Sequence, residues 1–306
     1  MREIVPNYYH KFICIADRCR HSCCIGWEID VDEKTMALYK AMDSPLGADI
    51  RKHIEGDDPH FILQEGERCP FLQENGLCRI ICEYGEDALC DICRLHPRFR
   101  HFYSAFTETG LGLCCEEAAR IILFTEDPFS VSLPEDANVT ESEQVFFNFR
   151  EQILSLLQDR KQSIRERFEL LAKRCSFVFD IPLKKLVKTY LSLERLEENW
   201  TKRIEHLQGY AFDGSIFSED DFAIFFEQLA VYFVFRHLSD GIWDGLYAER
   251  LRFALMSCYF IGALISQARE EKGSICEEDM IDIVRQYSSE IEYSEENVAT
   301  LLENPF

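Results

Sequence analysis

The chain contains 306 residues, of which 33 are basic and 55 are acidic, so that its formal net charge is −22. A charge of this sign and size repels a phosphate backbone, which argues against general nucleic-acid binding; a basic protein segment would be a more compatible partner. The longest apolar stretches, at 222–235 and 253–265, are shorter than the roughly 20 residues that a membrane-spanning helix needs. The composition therefore predicts a protein that binds neither nucleic acid nor membrane.

The first third of the chain is rich in cysteine, because 11 of the 14 cysteines lie within the first 115 residues. The N-terminus carries charge and proline where a secretory signal would have an apolar stretch, which predicts a cytoplasmic protein. Thiols stay reduced there, and clustered cysteines then indicate metal binding more often than disulfides. Helices are predicted at 32–42 and 115–124, and the Gly-, Pro- and Cys-rich segment 56–112 predicts loops.

These cysteines form three groups. They are Cys14-x4-Cys19-x3-Cys23-Cys24, then Cys69, Cys78, Cys82 and Cys90-x2-Cys93, and finally the adjacent pair Cys114-Cys115. A structural zinc ion and a four-iron cluster each need four such ligands, and short spacings let one loop supply several of them. The nearby His21, His96 and His101 could also complete a site. The pattern predicts a metal centre and leaves both its metal and the division of its ligands open.

The chain after residue 125 is predicted to be helical. A segment with two prolines at 126–136 indicates a linker, and the capping box Thr140–Glu143 begins the first helix. Further helices are predicted at 161–175, 182–206, 219–239, 244–271, 277–290 and 294–303, with Pro182 in a first turn and Ser218 and Ser294 as N-caps. Ordinary packing or surface exposure explains the isolated Cys175, Cys258 and Cys276.

The predicted fold class is mainly α. An irregular cysteine-rich metal-binding region at 1–125 is expected to pack on a C-terminal helical bundle at 138–306. No repeated strand alternates with the helices, which argues against a doubly wound α/β domain.

The ordered motifs of the first 124 residues resemble those of the flagellin lysine-N-methylase family, and more loosely the zinc- or iron-chelating proteins with a CxxCxxxCC signature. The motifs are Cys23-Cys24-Ile25-Gly26-Trp27 with the preceding cysteines, Cys69-Pro70-Phe71-Leu72, Gly76-Leu77-Cys78, Cys90-Asp91-Ile92-Cys93-Arg94-Leu95-His96-Pro97-Arg98 and Cys115-Glu116-Glu117-Ala118-Ala119-Arg120. After residue 140 the resemblance is only a helical pattern.

The resemblance implies methyl transfer from S-adenosylmethionine to lysine side chains of flagellin by a protein that holds an iron–sulfur cluster of the 4Fe-4S type. The family motif maps onto Cys14, Cys19, Cys23, Cys24, Cys69, Cys78, Cys93 and Cys115, while Cys82, Cys90 and Cys114 are additional here. Eight thiolates could form two four-ligand sites or one site with spare thiols.

Neither common S-adenosylmethionine architecture is indicated. The CxxxCxxC loop of radical enzymes is missing, and Gly110-Leu111-Gly112 lacks the strand pattern expected before a cofactor-binding glycine loop. Glu28, Asp30 and Tyr103 are candidates for a base, but no catalytic residue is assigned. Two alternatives remain: a non-catalytic zinc- or iron-binding interaction module and, less favoured, a thiol redox protein that uses Cys90 and Cys93.

Overall fold

The structure, a computed structural model, describes residues 2–134 and 136–303 and is mainly helical, as predicted. It divides into a cysteine-rich unit, residues 13–98, and a helical unit, residues 2–12 and 99–303. The predicted boundary near residue 125 lies inside the helical unit, since the helix at 116–123 packs against the long helices that follow.

The strands and helices follow one another in chain order. They are β1 (Arg2–Ile4), α1 (Glu33–Ala41), α2 (Pro45–Lys52), β2 (Ile54–Glu55), β3 (His60–Phe61), α3 (Arg79–Tyr84), α4 (Asp91–Leu95), β4 (Arg98–Phe102), β5 (Phe106–Leu111), α5 (Glu116–Leu123), α6 (Glu141–Leu157), α7 (Ile164–Arg174), α8 (Leu183–Ser192), α9 (Glu198–Glu205), α10 (Ala223–His237), α11 (Gly241–Asp244), α12 (Tyr247–Lys272), α13 (Glu277–Tyr287) and α14 (Glu295–Glu303).

The cysteine-rich unit consists of short elements joined by turns. Asp32 begins α1 by accepting the Thr35 amide, and Ser44 begins α2 by accepting the Gly47 amide. Strands β2 and β3 pair antiparallel. Among the described residues, only 12 apolar residues form its buried core, and two of these are Cys69 and Cys90. The sequence did not predict α2, α3 and α4, because helices of five to eight residues are too short to display a periodicity.

The helical unit is built around α10 and α12, which are buried almost all round. Helix α10 packs against α12, α5 and α6, and 65 buried apolar residues of the described chain form one continuous core. A small sheet with strand order β1-β5-β4 belongs to the same unit, with β1 parallel to β5. The aromatic run from Phe222 to Phe235 lies in this core, which confirms the packing interpretation of that run.

The predicted helix boundaries are partly confirmed. Thr140 and Glu143 form the expected capping box, and Ser294 Oγ accepts the Asn297 amide at the start of α14. The prediction that Ser218 caps a helix is wrong, because Ser218 ends a 3-10 turn and α10 begins only at Ala223. Pro182 precedes the first turn of α8 as its N-cap.

The helix predicted at 182–206 is interrupted between α8 and α9. The backbone amides exposed by this break are bonded by side chains from later in the chain. Asn297 Oδ1 accepts from the Glu194 amide at 3.0 Å, and the Glu290 carboxylate accepts from the amides of Leu196 and Glu197, each at 2.8 Å. Tertiary contacts therefore override the local helical pattern, which a single sequence does not reveal.

Helix α12 is long and apolar enough to cross a membrane by length and composition alone. However, 89% of its apolar window is buried inside the structure, where it contacts α10, α13 and α14. Packing in the core of the helical unit therefore accounts for its composition.

Candidate metal centre

Four cysteines of the cysteine-rich unit share one partly buried neighbourhood. Cys24, Cys69, Cys78 and Cys93 lie close enough that, in each of the six possible pairs, the charge of one thiolate acts on the other. They come from segments far apart in the chain, and all four contribute to the small core of the unit. We call them the four-thiol cluster.

Backbone pairing and helix starts position the four-thiol cluster. The Cys69 amide donates to the Cys24 carbonyl at 2.8 Å, which fixes the first two segments side by side. Cys78 pairs with Leu72 through a β-bridge and is the N-cap residue of α3. Cys93 lies within α4, whose N-cap residue is Cys90. Cys90 lies next to the cluster, since its charge also acts on Cys93.

Burial controls the protonation of these thiols. Burial, reinforced by the nearby thiols Cys24 and Cys78, raises the pKa of Cys69 to about 12. The pKa of Cys78 and that of Cys93 are also raised, again mainly by burial. A bound cation reverses this balance, because it stabilises the thiolates and releases their protons.

Cys24 differs from the other three. The Cys23 thiol donates a hydrogen bond to Cys24, which raises the pKa of Cys23 and, together with Ser22 and the positive charge of Arg68, lowers the pKa of Cys24 to about 7. Arg68 is held by the carbonyls of Leu72 and Gln73 at 3.1 and 2.8 Å. Sequence reasoning missed Arg68, although a basic residue directly before Cys69 was a visible signal.

The four-thiol cluster fits a four-thiolate group in number and in donor chemistry. It does not yet have ligand geometry, since within residues 2–134 and 136–303 no group of three or more His, Cys, Asp or Glu side chains is arranged to hold a metal ion. The metal-binding part of the predicted fold class is thus not a feature of this structure and stays a prediction.

Of the other four predicted ligands, Cys23 adjoins the four-thiol cluster through its hydrogen bond to Cys24, and three lie outside it. The charge of Cys14 acts on Cys23, and both residues are exposed. The Cys19 thiol donates to the His21 carbonyl at 3.1 Å. Cys115 belongs to the helical unit, where it is the N-cap residue of α5. The structure thus brings five of the eight predicted ligands together, namely the four-thiol cluster and the adjoining Cys23.

The additional cysteines and the isolated ones have ordinary surroundings. Cys82 is exposed. Burial raises the pKa of Cys90 to about 11, which disfavours a redox nucleophile at Cys90. Cys114 donates to the Tyr293 hydroxyl at 3.0 Å. Cys175 and Cys258 are buried in the helical core and Cys276 is exposed, which confirms the packing and surface interpretation of those three.

The histidines of the cysteine-rich segment separate. His21 stays near Cys19, whereas the His96 ring lies edge-on to Trp27 at 5.1 Å and burial lowers the pKa of His96 to about 4. His101 lies in the helical unit.

The candidate bases also differ in their surroundings. Glu28 and Asp30 are exposed, as their interpretation as surface acids requires. The buried Tyr103 hydroxyl donates to Ser239 Oγ at 3.0 Å, and burial raises the pKa of Tyr103.

Gly110 lies in strand β5, contrary to the expectation that no strand precedes the Gly-x-Gly. A Cβ there would lie 2.3 Å from the Phe99 ring, so this glycine serves packing.

Comparison with known proteins gives related findings. Residues 179–304 match the family described as FliB lysine N-methylase C-terminal domain. The chain is therefore related to this family also after residue 140, where the sequence suggested only a helical pattern. No solved structure matches the chain.

Curated relatives come from Salmonella. The lysine-N-methylases of Salmonella typhimurium (strain LT2) and Salmonella choleraesuis are each 27% identical over 215 residues, 63% of this chain and 54% of theirs. The chain thus spans about half the length of these two relatives. The flagellar biosynthetic protein FliU of Salmonella muenchen is 31% identical over 146 residues, 44% of this chain and 85% of that protein. Together with the matched domain, these relatives show that the chain belongs to the flagellin lysine-N-methylase family.

Proposed function

We propose that the protein transfers a methyl group from S-adenosylmethionine to lysine side chains of flagellin, and that Cys24, Cys69, Cys78 and Cys93 hold an iron–sulfur cluster. The names of the relatives, lysine-N-methylase and flagellar biosynthetic protein, support the reaction and its substrate. The observation that supports an iron–sulfur cluster is the mutual proximity of four thiols in one partly buried place.

The chemistry sets clear demands on the protein. The lysine ammonium first loses a proton; the amine nitrogen then bonds to the methyl carbon as the bond from that carbon to the sulfonium sulfur breaks, leaving S-adenosylhomocysteine. A pocket that excludes water and a neutral acceptor for the proton favour this step.

The chain's own residues would hold the cluster through four thiolates. An iron–sulfur cluster, when bound, supplies a redox-active group and covalent links between its ligands. The charge of Arg68 offsets part of the negative charge of the thiolates, and the apolar core around Cys69 excludes water. Ligation would require the four thiols to adopt an arrangement that this structure does not show. One site formed by four thiols would leave Cys14, Cys19, Cys23 and Cys115 outside it.

The direct test uses protein purified without oxygen. We expect iron and acid-labile sulfide in stoichiometric amounts, and a methyl-group mass increase on lysines of purified flagellin that depends on S-adenosylmethionine. Absence of both iron and sulfide would refute the cluster. Absence of the mass increase with cluster-loaded protein would refute the reaction.

The small core of the cysteine-rich unit favours a second function, a zinc- or iron-binding module without catalysis. A unit with 12 buried apolar residues gains little from burial alone, and structural metal sites commonly stabilise such units. Stoichiometric zinc from iron-replete cells, together with no S-adenosylmethionine binding in calorimetry, would favour this function over the first.

A further inference from the structure

A cavity of about 260 Å³ lies in the helical unit at the end of strand β4. Residues 100–103 line one side, and Ser239, Asp240 and Trp243 line the other. None of these residues belongs to the sequence motifs, and the sequence pointed only to His101, as a possible metal ligand, and to Tyr103, as a possible base.

A carboxylate and an imidazole face each other in this cavity without bonding each other. Asp240 Oδ1 lies 4.0 Å from His101 Nδ1, which is beyond hydrogen-bond distance. The other carboxylate oxygen, Asp240 Oδ2, accepts from Arg250 at 3.2 Å, so the carboxylate is held in place while Oδ1 faces the histidine. A donor group with several protons, placed between Oδ1 and Nδ1, could bond both.

The His101 ring is neutral and poorly satisfied. Its Nε2 atom is buried and has no hydrogen-bond partner in the described part of the chain. Burial, with smaller effects of Arg150, His237 and Arg236 and against the opposing effect of Glu108, lowers the pKa of His101 to about 4. A neutral imidazole can accept a hydrogen bond from a ligand, which an imidazolium cannot.

The cavity mouth carries exposed aromatic rings. Phe102 is 66% exposed and Trp243 is 79% exposed, whereas most large apolar residues of this unit are buried. Aromatic faces attract alkyl chains and cations together. The Arg100 charge at the same cavity is offset by Glu3, whose carboxylate lies 3.9 Å from Arg100 Nε. The net charge of −22 also favours a cationic ligand.

We propose that this cavity receives the side chain of a substrate lysine, with its amine between Asp240 and His101 and its alkyl chain against Phe102 and Trp243. This inference rests on the proposed function, because it assigns the lysine site of that reaction. Asp240 binds the ammonium and His101 accepts a hydrogen bond from it. An ammonium has three donors and can bond both groups, while its unbranched alkyl chain suits an aromatic mouth.

The experiment follows Trp243 fluorescence in the full chain during titration with a short acetylated peptide that contains one lysine. Trp200 is fully buried, so the exposed Trp243 is suited to report the ligand, and Trp243→Phe identifies its share of the signal. We expect a saturable change with the lysine peptide and none with the same peptide carrying norleucine. Asp240→Asn should weaken binding by about tenfold, since a charged hydrogen bond becomes a neutral one.

A matched control is Asp244→Asn. Asp244 also binds Arg250, at 2.5 Å, but does not line the cavity, so this variant should bind the peptide as the parent protein does. Equal binding of the lysine and norleucine peptides, or unchanged binding in Asp240→Asn, would overturn the proposal.

Methylation kinetics separate this proposal from the proposed function. If flagellin is methylated and Asp240→Asn raises KM for flagellin while Asp244→Asn does not, both stand. If Asp240→Asn methylates flagellin with unchanged KM and kcat, the cavity assignment fails alone. If the lysine peptide binds as expected but no methylation occurs in cluster-loaded protein, the proposed function fails while amine binding by the cavity stands.

Discussion

The two units of this chain are stabilised in different ways. The helical unit buries 65 apolar residues of the described chain in one core, and some of its buried charges form ion pairs, as Glu227 does with Arg160 and Arg167. The cysteine-rich unit buries 12, with thiols in places where apolar side chains would otherwise pack. Apolar burial therefore accounts for the stability of the helical unit. It contributes much less to the stability of the cysteine-rich unit.

The two units also differ in the features that link them to the family. The motifs that resemble the flagellin lysine-N-methylase family lie in the first 124 residues, whereas the matched family domain, 179–304, lies in the helical unit. The resemblance in the motifs thus concerns the thiols, whereas the matched domain concerns the packed helices. Substitutions confined to one unit can test separately what stabilises each unit.

The largest expected effect comes from Cys69→Ser. If the four-thiol cluster holds metal, loss of one buried ligand should abolish most of the bound iron and expose the cysteine-rich unit to solvent exchange. Metal analysis and hydrogen exchange measured by mass spectrometry would report the two effects separately for residues 13–98.

Cys82→Ser is the matched control for that change, because Cys82 lies in the same unit but is exposed. We expect its iron content and exchange to match those of the parent protein. Full iron retention in Cys69→Ser, or equal losses in both variants, would contradict the four-thiol assignment.

The next largest effect concerns the helical unit alone. Arg150 donates to both Glu108 oxygens, at 2.7 and 2.5 Å, and Glu108 is fully buried. Arg150→Met leaves the Glu108 carboxylate buried without its partner, which should lower the free energy of unfolding by about 3–5 kcal/mol. Denaturation followed by hydrogen exchange in the helical unit would measure this loss of stability. The metal content of the variant should be unchanged.

The double variant Glu108→Leu with Arg150→Met tests the cause of that loss. Removal of both charges leaves no unpaired ion, so most of the lost stability should return. If the double variant is no more stable than Arg150→Met, lost packing and not the unpaired charge explains the effect.

How far the sequence predicts this molecule also depends on the unit. Long helices with strong caps, such as α6 after Thr140, could be predicted because local signals and core packing agree. The interruption between α8 and α9 could not, since Asn297 and Glu290 make it possible from a distant part of the chain.

The sequence predicted what kind of site to expect but not which cysteines would form it. Cysteine spacing indicated thiol clustering, yet Cys24, Cys69, Cys78 and Cys93 meet through backbone pairing and short helices that carry no periodicity. The cavity at Asp240 and His101 could not be predicted from the sequence, because residues from β4 and from the segment after α10 come together only in the folded chain.

A third prediction concerns pH. Burial lowers the pKa of His101 from 6.5 to about 4, so the unfolded chain binds this proton first as the pH falls. The stability that the neutral ring contributes is therefore present above pH 6.5 and is lost progressively down to about pH 4. Between pH 7.5 and pH 5 this one residue should remove about 2 kcal/mol from the unfolding free energy.

His101→Gln removes this titration and should make the helical unit less sensitive to acid. Glu108, Arg150, Arg236, His237 and Asp240 face the same ring and stay unchanged in the variant, so only the difference between the two pH profiles counts. Urea denaturation at several pH values measures that difference. Parallel profiles would show that His101 is not held neutral by burial.

The smallest effect is expected from Ser163→Ala, at the start of α7. Ser163 Oγ accepts the Glu166 amide at 3.3 Å, and Glu166 Oε2 accepts the Ser163 amide at 2.8 Å, so the change leaves one amide of the first turn without its partner. The expected loss is about 1 kcal/mol, confined to the helical unit. Ser155→Ala, on the exposed face of α6, should be neutral by comparison, because Ser155 caps no helix. A loss of similar size in both variants would indicate a general effect of removing hydroxyls. A loss at Ser163 alone would show that local capping adds to a core that already stabilises this unit, and the cysteine-rich unit, which has so few buried residues, should not respond at all.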